Sequence, residues 1–409
     1  MLSKSTRNRI LTNSEKCMPY VENRTVHDAD SHIMELPGTL EQYLPKSVLA
    51  EFSQKTAPAD YEIQWAKDAR ELQADAEFRA GDEANILLRK NHSALGAFDN
   101  ADRPKALDLL GFTSQLVFTT TALSNYGLEH SGDIDLALET ARAHNRMMID
   151  FCSVDARLLG TGYVPLADIE AASTIAAEAI KMGCKALVIP SRCPSGHSPS
   201  HVGFDRLWSI AQEAGIPILF HVGGEEKMNA AYSNNGLPVV RDFHGGDENF
   251  TSTSFMSIPL ALWQTMSMLI MDGVCDRFPK LQFGAIELGA SWVPSWLQFM
   301  DASFGAFRKG EERLQKLSAK PSEIAQRQFK ATPYPHENTG WIIQNSGPEM
   351  LLFSSDFPHV EGGRNPLKRF NDSLVDVSDE GQQKFFRDNF IALMGAGLEK
   401  SLHDHPSAR

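Results

Sequence analysis

Apolar and β-branched runs of four to seven residues recur along the chain, each ending in polar residues and most followed by a stretch with helical spacing. Eight such runs predict strands. They begin at Val26 (to Ser31), Ser114 (SQLVFTT), Thr161 (TGYVPL), Lys185 (KALVIPS), Ile216 (IPILFHV), Leu281 (LQFGAIE), Phe329 (FKATPYP) and Met350 (MLLFSSD). The seventh is the weakest pattern because it holds two prolines. Between the runs, amphipathic spacing predicts helices over Ile134–Phe151, Ile169–Met182, Phe204–Ala214, Pro259–Met271 and Trp292–Phe304. Strands alternating with helices over this length predict an α/β fold, a (β/α)8 TIM barrel rather than an open doubly wound sheet. No GxGxxG follows the first run, which removes the main argument for a dinucleotide-binding fold.

Two segments break the alternation. Residues 37–105 follow the first strand and include the charged, alanine-rich stretch Asp60–Lys90, which predicts a helical cap insertion. Residues 223–253, rich in Gly, Asn and Asp, follow strand five and predict a long, lid-like loop. Residues 1–20 and 400–409 are expected to be polar tails, leaving a single domain over 21–399. No internal repeat is present.

Composition narrows the function classes. With 42% hydrophobic and 22% charged residues the chain is of globular type. Its net charge of −13 is spread along the sequence, without the basic footprint of a nucleic-acid binder or of a protein attached to anionic membranes. The five cysteines stand far apart without a CxxC pair, against a disulfide framework. No continuous apolar run approaches the roughly 20 residues that span a bilayer, and the polar N-terminus lacks a secretory h-region. A cytoplasmic protein is expected.

The chemistry lies at the ends of the predicted strands. HDADSHIMELP places Asp28, Asp30 and His32 at alternate positions, so that one strand face would carry all three. His221 closes a run of buried apolar residues, where an imidazole is costly unless it is hydrogen-bonded or ligates. Glu287 ends the sixth run and Asp356 the eighth. Taken singly, each has a plainer reading: a chance DxH, a satisfied core histidine, a helix-capping carboxylate. A barrel, however, brings all four strand ends to one rim, where the active sites of this fold lie. Mixed carboxylate and imidazole donors suit Zn2+, with Mn2+ or Fe2+ as other possibilities, and a catalytic zinc needs three protein ligands and an open position to bring its water to a pKa of about 7.

The segments DADSHIMELP, ALDLLGFTSQLVF, ARAHNRMMIDFC, FHVGG, DRFPKLQFGAIELGASWVPSWLQFMD and LLFSSDFPHVEG resemble, in order and spacing, the amidohydrolase superfamily. The resemblance is to amidohydrolase family 2, the branch around aminocarboxymuconate-semialdehyde decarboxylase. It implies metal ligation by Asp30, His32 and His221, and an Asp356 that touches the metal and handles a water proton. Asp28 would orient the pair rather than ligate. Many decarboxylases of the branch carry a histidine where this chain has Glu287, a residue that ligates or acts as acid–base partner but is a poor carboxylate-binding cation. The departure favours a metal-dependent hydrolase acting on a carbonyl of a small organic, aromatic-derived substrate. The alternatives are a non-oxidative, metal-dependent decarboxylase and, from another class, a catalytically inert ligand-binding barrel. The resemblance also implies a homodimer or higher homo-oligomer.

His244 and Arg241 in the glycine-rich insert, and His359 and Arg364 after Asp356, are within reach of such a pocket. Solvated loop residues are the heavier reading for each, and His244 is kept beside Asp356 and Glu287 as a catalytic candidate. Trp292 and Trp296, four apart on a helix, read as packing, and Asn145 as structural.

Overall fold

The computed structural model describes residues 18–404 except 57, 59, 226, 227 and 239–250. Seven strands are regular: β1 (His27–His32), β2 (Ser114–Phe118), β3 (Leu158–Tyr163), β4 (Ala186–Val188), β5 (Ile218–His221), β6 (Phe283–Ile286) and β7 (Phe329–Ala331). They form one parallel sheet in sequence order, and every residue of every strand is buried. Burial on both faces is why β4, β5 and β6 read as nearly continuous apolar runs, whereas β1 buries polar and charged side chains. The weak seventh run does form β7, stopping at Ala331 before its prolines.

Parallel neighbours need crossover connections, and helices supply them. After β1 come α1 (Lys46–Lys55), α2 (Asp60–Ala74), α3 (Ala76–Ala84) and α4 (Arg103–Leu110). The remaining long crossovers use α5 (Ile134–Cys152), α6 (Ile169–Met182), α7 (Asp205–Ala214) and α8 (Ser252–Met271), with the one-turn α9 (Val274–Arg277) and then α10 (Val293–Phe307). Helix starts follow their capping residues: Asp133 accepts the Leu136 N–H and Asp168 the Ala171 N–H. Helix α8 is long and apolar enough to cross a membrane by length and composition. Its apolar residues Ile258, Leu262, Met266, Leu269 and Ile270 are instead buried in the core.

The eighth predicted strand departs from expectation. Among the described residues, 350–357 makes only isolated bridges, Leu351 to Ala331 and Phe357 to Ser31. Its backbone still bonds to both edges of the sheet: Ala331 N–H to Met350 O and Leu352 N–H to Ala331 O on one side, Ala29 N–H to Phe353 O and His32 N–H to Phe357 O on the other. The ladder breaks because the Ser355 N–H goes to the Asp28 carboxylate at 2.7 Å, and Asp356 then turns the chain at φ +52°. The result is a TIM-like α/β architecture in which one irregular segment is shared by the first and last strands.

The expected alternation along β1 is also broken. Asp28 pairs with Gln115 but Ser31 with Val117, so β1 carries one extra residue, a bulge that re-aims the side chains beyond it. The four described cysteines are free thiols.

Candidate metal centre

Strand ends deliver the first three groups. Asp30 and His32 leave the bulged end of β1, with Asp30 Oδ1 3.2 Å from His32 Nε2. His221, the last residue of β5, places its Nε2 3.4 Å from the same Asp30 oxygen. Backbone carbonyls fix both imidazoles: His32 Nδ1–H donates to Thr119 O at 2.8 Å and His221 Nδ1–H to Val222 O at 3.0 Å. Each ring is thereby held in the tautomer that turns an Nε2 lone pair into the cluster. The Arg103 guanidinium, fully buried, donates to His32 O and pins the strand end from behind.

Glu287 and Asp356 arrive differently. Glu287, one residue past β6, sits at φ +56°, and Asp356 at φ +52°. A non-glycine residue in this region costs on the order of 1–3 kcal/mol, so the surroundings must hold it there. For Glu287 the holders are Thr332 Oγ1, which accepts its N–H, and Tyr334, whose hydroxyl donates to its carbonyl. For Asp356 the N–H donates to Asp30 O, tying the two acid-bearing backbones together. Glu287 Oε2 then lies 3.3 Å from His221 Nε2 and 3.5 Å from His32 Nε2, and Asp356 Oδ1 lies 3.6 Å from His32 Nε2.

One ligand atom from each of Asp30, His32, His221 and Glu287 falls within 4.8 Å of the others, and so does one from each of His32, Glu287, Asp356 and His359. Donors about 2.0–2.2 Å from a common divalent ion stand about 3.0–3.5 Å apart, the spacing seen here. His32 Nε2 and Glu287 Oε2 are buried without a hydrogen-bond partner among the described residues. The donor set therefore fits a divalent cation.

Three carboxylates in one buried pocket shape its electrostatics. Burial pushes the Glu287 carboxyl well above the usual range, and the neighbouring charges of Asp356 and Asp30 add to this. Burial would also raise Asp30, but the neighbouring His221 and His32 imidazoles overcome it and hold the group below the ordinary carboxylate range. Burial pushes His32 down, yet the nearby Asp30 and Asp356 carboxylates carry it above the ordinary imidazole value. Asp28 does not join the cluster. It accepts Ser355 N–H, Ser355 Oγ–H and Gln115 Nε2–H, and so positions the segment that carries Asp356, with burial pushing its carboxyl up to about 7.

The other candidates divide cleanly. His244 and Arg241 lie outside the described residues. Arg364 is exposed, as a loop residue was expected to be. Asn145 is structural, exchanging hydrogen bonds with the backbone of Tyr163. Trp296 is fully buried, with its indole N–H on Ser267 Oγ. The reading of His359 as a solvated loop residue is wrong: its side chain is 12% exposed, with Nδ1 2.9 Å from Asp356 Oδ1. The sequence offered one signal for it, the three-residue spacing from Asp356 across Pro358. Lys90 was missed altogether. Its Nζ is buried without a hydrogen-bond partner among the described residues, and it feels the charges of Asp356 and Glu361.

The amidohydrolase family model matches residues 53–395. The chain belongs to the amidohydrolase family. The resemblance drawn from the strand-end motifs is thereby supported, and the metal-compatible cluster is that of a metal-dependent enzyme family. No curated protein matches this amidohydrolase. Among solved structures, it is similar to an amidohydrolase from Mycobacterium avium subsp. paratuberculosis K-10, at 19% identity and a TM-score of 0.67 over 92% of this chain and 100% of that one. It is also similar to 5-carboxyvanillate decarboxylase from Novosphingobium aromaticivorans DSM 12444, complexed with manganese and 4-hydroxy-3-methoxy-5-nitrobenzoic acid (16%, 0.59, 94% and 99%). A third is 2,6-dihydroxybenzoate decarboxylase from Rhizobium (18%, 0.59, 91% and 99%). At these identities the likeness is one of fold.

Proposed function

We propose that this amidohydrolase is a divalent-metal hydrolase that adds water to a carbonyl of a small organic, aromatic-derived substrate. The observation that carries the proposal is the meeting of Asp30, His32, His221 and Glu287 donor atoms within 4.8 Å, with both imidazoles turned inward by backbone carbonyls. Asp30, His32 and His221 hold the ion, Zn2+ in first place and Mn2+ or Fe2+ as other occupants of a mixed oxygen and nitrogen site. When bound, such an ion polarises a carbonyl oxygen and makes water acidic enough to attack at neutral pH.

The chain's own residues divide the proton work. Asp356, at the edge of the cluster, takes the proton that water loses as its oxygen adds to the carbonyl carbon. Burial and two neighbouring carboxylates raise the Glu287 carboxyl, which suits it to give a proton to the departing atom. Amides, esters, lactones and activated carbon–carbon bonds are the substrate classes that this chemistry serves. In this reading residues 21–399 form one domain, with 37–105 as a cap over the rim and 223–253 as its lid.

A second reading, non-oxidative decarboxylation, has a specific observation in its favour. Lys90 Nζ is a buried ammonium that feels the Asp356 charge and has no hydrogen-bond partner among the described residues, a cation suited to a substrate carboxylate. Two of the similar structures are decarboxylases of phenolic acids. Incubating the metal-loaded protein in 18O-water with a panel of aromatic lactones, esters, amides and carboxylic acids separates the readings. Hydrolysis predicts 18O in the product acid and no CO2; stoichiometric CO2 without 18O incorporation would replace the first reading with the second.

A further inference from the structure

His359 stands in a frame built from three parts of the chain. The loop that carries it folds back tightly: His32 N–H donates to Phe357 O at 2.7 Å and Asn91 N–H to Pro358 O at 2.8 Å. A side chain at Gly362 would put its Cβ 1.9 Å from Ser355 O, so the return requires glycine there. On the other flank, Glu35 holds the segment after β2, accepting Thr120 N–H at 3.0 Å and Thr121 N–H at 2.9 Å. The imidazole spans the two. Its Nε2 lies 2.9 Å from Thr120 Oγ1 and its Nδ1 2.9 Å from Asp356 Oδ1, while its ring packs 4.0 Å from that of His32.

A carboxylate only accepts, so the proton between His359 and Asp356 belongs to Nδ1. A neutral ring then needs a donor at Nε2, and the Thr120 hydroxyl supplies it. We infer that His359 is a positioning residue for the metal centre: its Nδ1–H, with the tautomer fixed by Thr120, holds Asp356 Oδ1 toward His32 Nε2 and the cluster. Asp356 has reason to need holding, since its backbone is in the left-handed region and its neighbours in the cluster are two further carboxylates. The inference rests on the proposed metal centre, and it concerns orientation alone.

The test is Mn2+ affinity of the full-length protein, measured by titration calorimetry, so that no substrate is needed. Wild type is expected to bind one Mn2+ per chain. His359→Ala should weaken binding about 10–100-fold, the usual effect of losing an outer partner of a ligand. His359→Asn, whose amide N–H reaches the place of Nδ1–H, should recover most of the loss, and His359→Gln should not. Asp356→Ala combined with His359→Ala should bind no more weakly than Asp356→Ala alone. Equal affinity in wild type and His359→Ala overturns the inference. So does an Asn variant as weak as Ala, which would make the ring's packing on His32 its only role, and so do additive losses in the double variant. A wild-type protein that binds no Mn2+ overturns the metal centre itself, and the inference with it. Circular dichroism of each variant keeps misfolding distinct from these outcomes.

Discussion

Two histidines at opposite ends of β1 are both buried and yet differ in kind. His27 stacks on Phe390 with ring centroids 4.9 Å apart and bonds to Ser114 Oγ. Burial, helped by the Arg387 charge, pushes it down to about 3. His32, five residues on, is carried the other way by Asp30 and Asp356 despite its own burial. A buried imidazole is therefore no sign of a site by itself. What distinguishes His32 is a carbonyl behind it and carboxylates in front of it, whereas His27 has an aromatic face and a hydroxyl.

The largest test of this contrast is acid stability. His27 and His92 are pushed down to about 3 and His144 to about 4, in each case first by burial. As pH falls below the ordinary imidazole value, the unfolded chain takes up protons before the folded one does. Their contribution to stability is therefore full above about pH 6.5 and lost as pH falls toward 4, by about 1.4 kcal/mol per pH unit for each histidine. Asp28, Glu287 and His32 are shifted the other way over the same window, so the histidine part is read as a difference. The urea midpoint should fall more between pH 7 and 5 in wild type than in a His27→Gln variant, and an equal fall in the two would contradict it.

Next in size is the exchange of roles along β1. His27→Ala should cost about 2–5 kcal/mol of stability, the range for large core truncations, and leave metal content intact. His32→Ala should cut metal affinity more than about 100-fold, beyond the range for outer partners. Calorimetric melting and metal titration of the pair decide it, and like losses of metal in both variants would erase the contrast.

A smaller effect belongs to Glu287. Its carboxyl is raised in the folded state, so below the ordinary carboxylate range ionisation makes no difference, and above it the unfolded chain ionises first. Metal-free protein at pH 8 should thus be stabilised by Glu287→Gln, by about 1 kcal/mol on the scale of a buried, unpaired polar group. A lower melting temperature for the variant would show that Glu287 is not strained by its neighbours. Smallest is Lys368→Ala, which removes an exposed i,i+4 pair with Asp372 and should change stability by less than about 0.5 kcal/mol in the same melts.

The same contrast explains what could be read from the sequence. His221 and Glu287 each close an apolar run and His32 ends an alternating Asp28, Asp30, His32 pattern, so that period and burial suffice to place them at strand ends. The break in the eighth strand was not legible, because it depends on Asp28 taking the N–H of Ser355, a residue from the far end of the chain. The β1 bulge was hidden for a related reason: an extra residue shows only against its partner strand. His359 and Lys90 look like ordinary loop polarity in one dimension, and their burial comes from the way residues 90–91 and 357–362 close on each other. Chemistry carried by regular elements leaves a periodic trace, and chemistry carried by returning loops leaves almost none.

Whether the strand-end cluster holds a metal is decided by inductively coupled plasma mass spectrometry. Wild-type protein and the His32→Ala/His221→Ala double variant would each be loaded with Zn2+, Mn2+ or Fe2+ and then desalted. One divalent ion per wild-type chain and none in the double variant is the expected result. Equal metal content in the two proteins, or a wild-type chain that retains no ion of any kind, would contradict a metal centre at these residues.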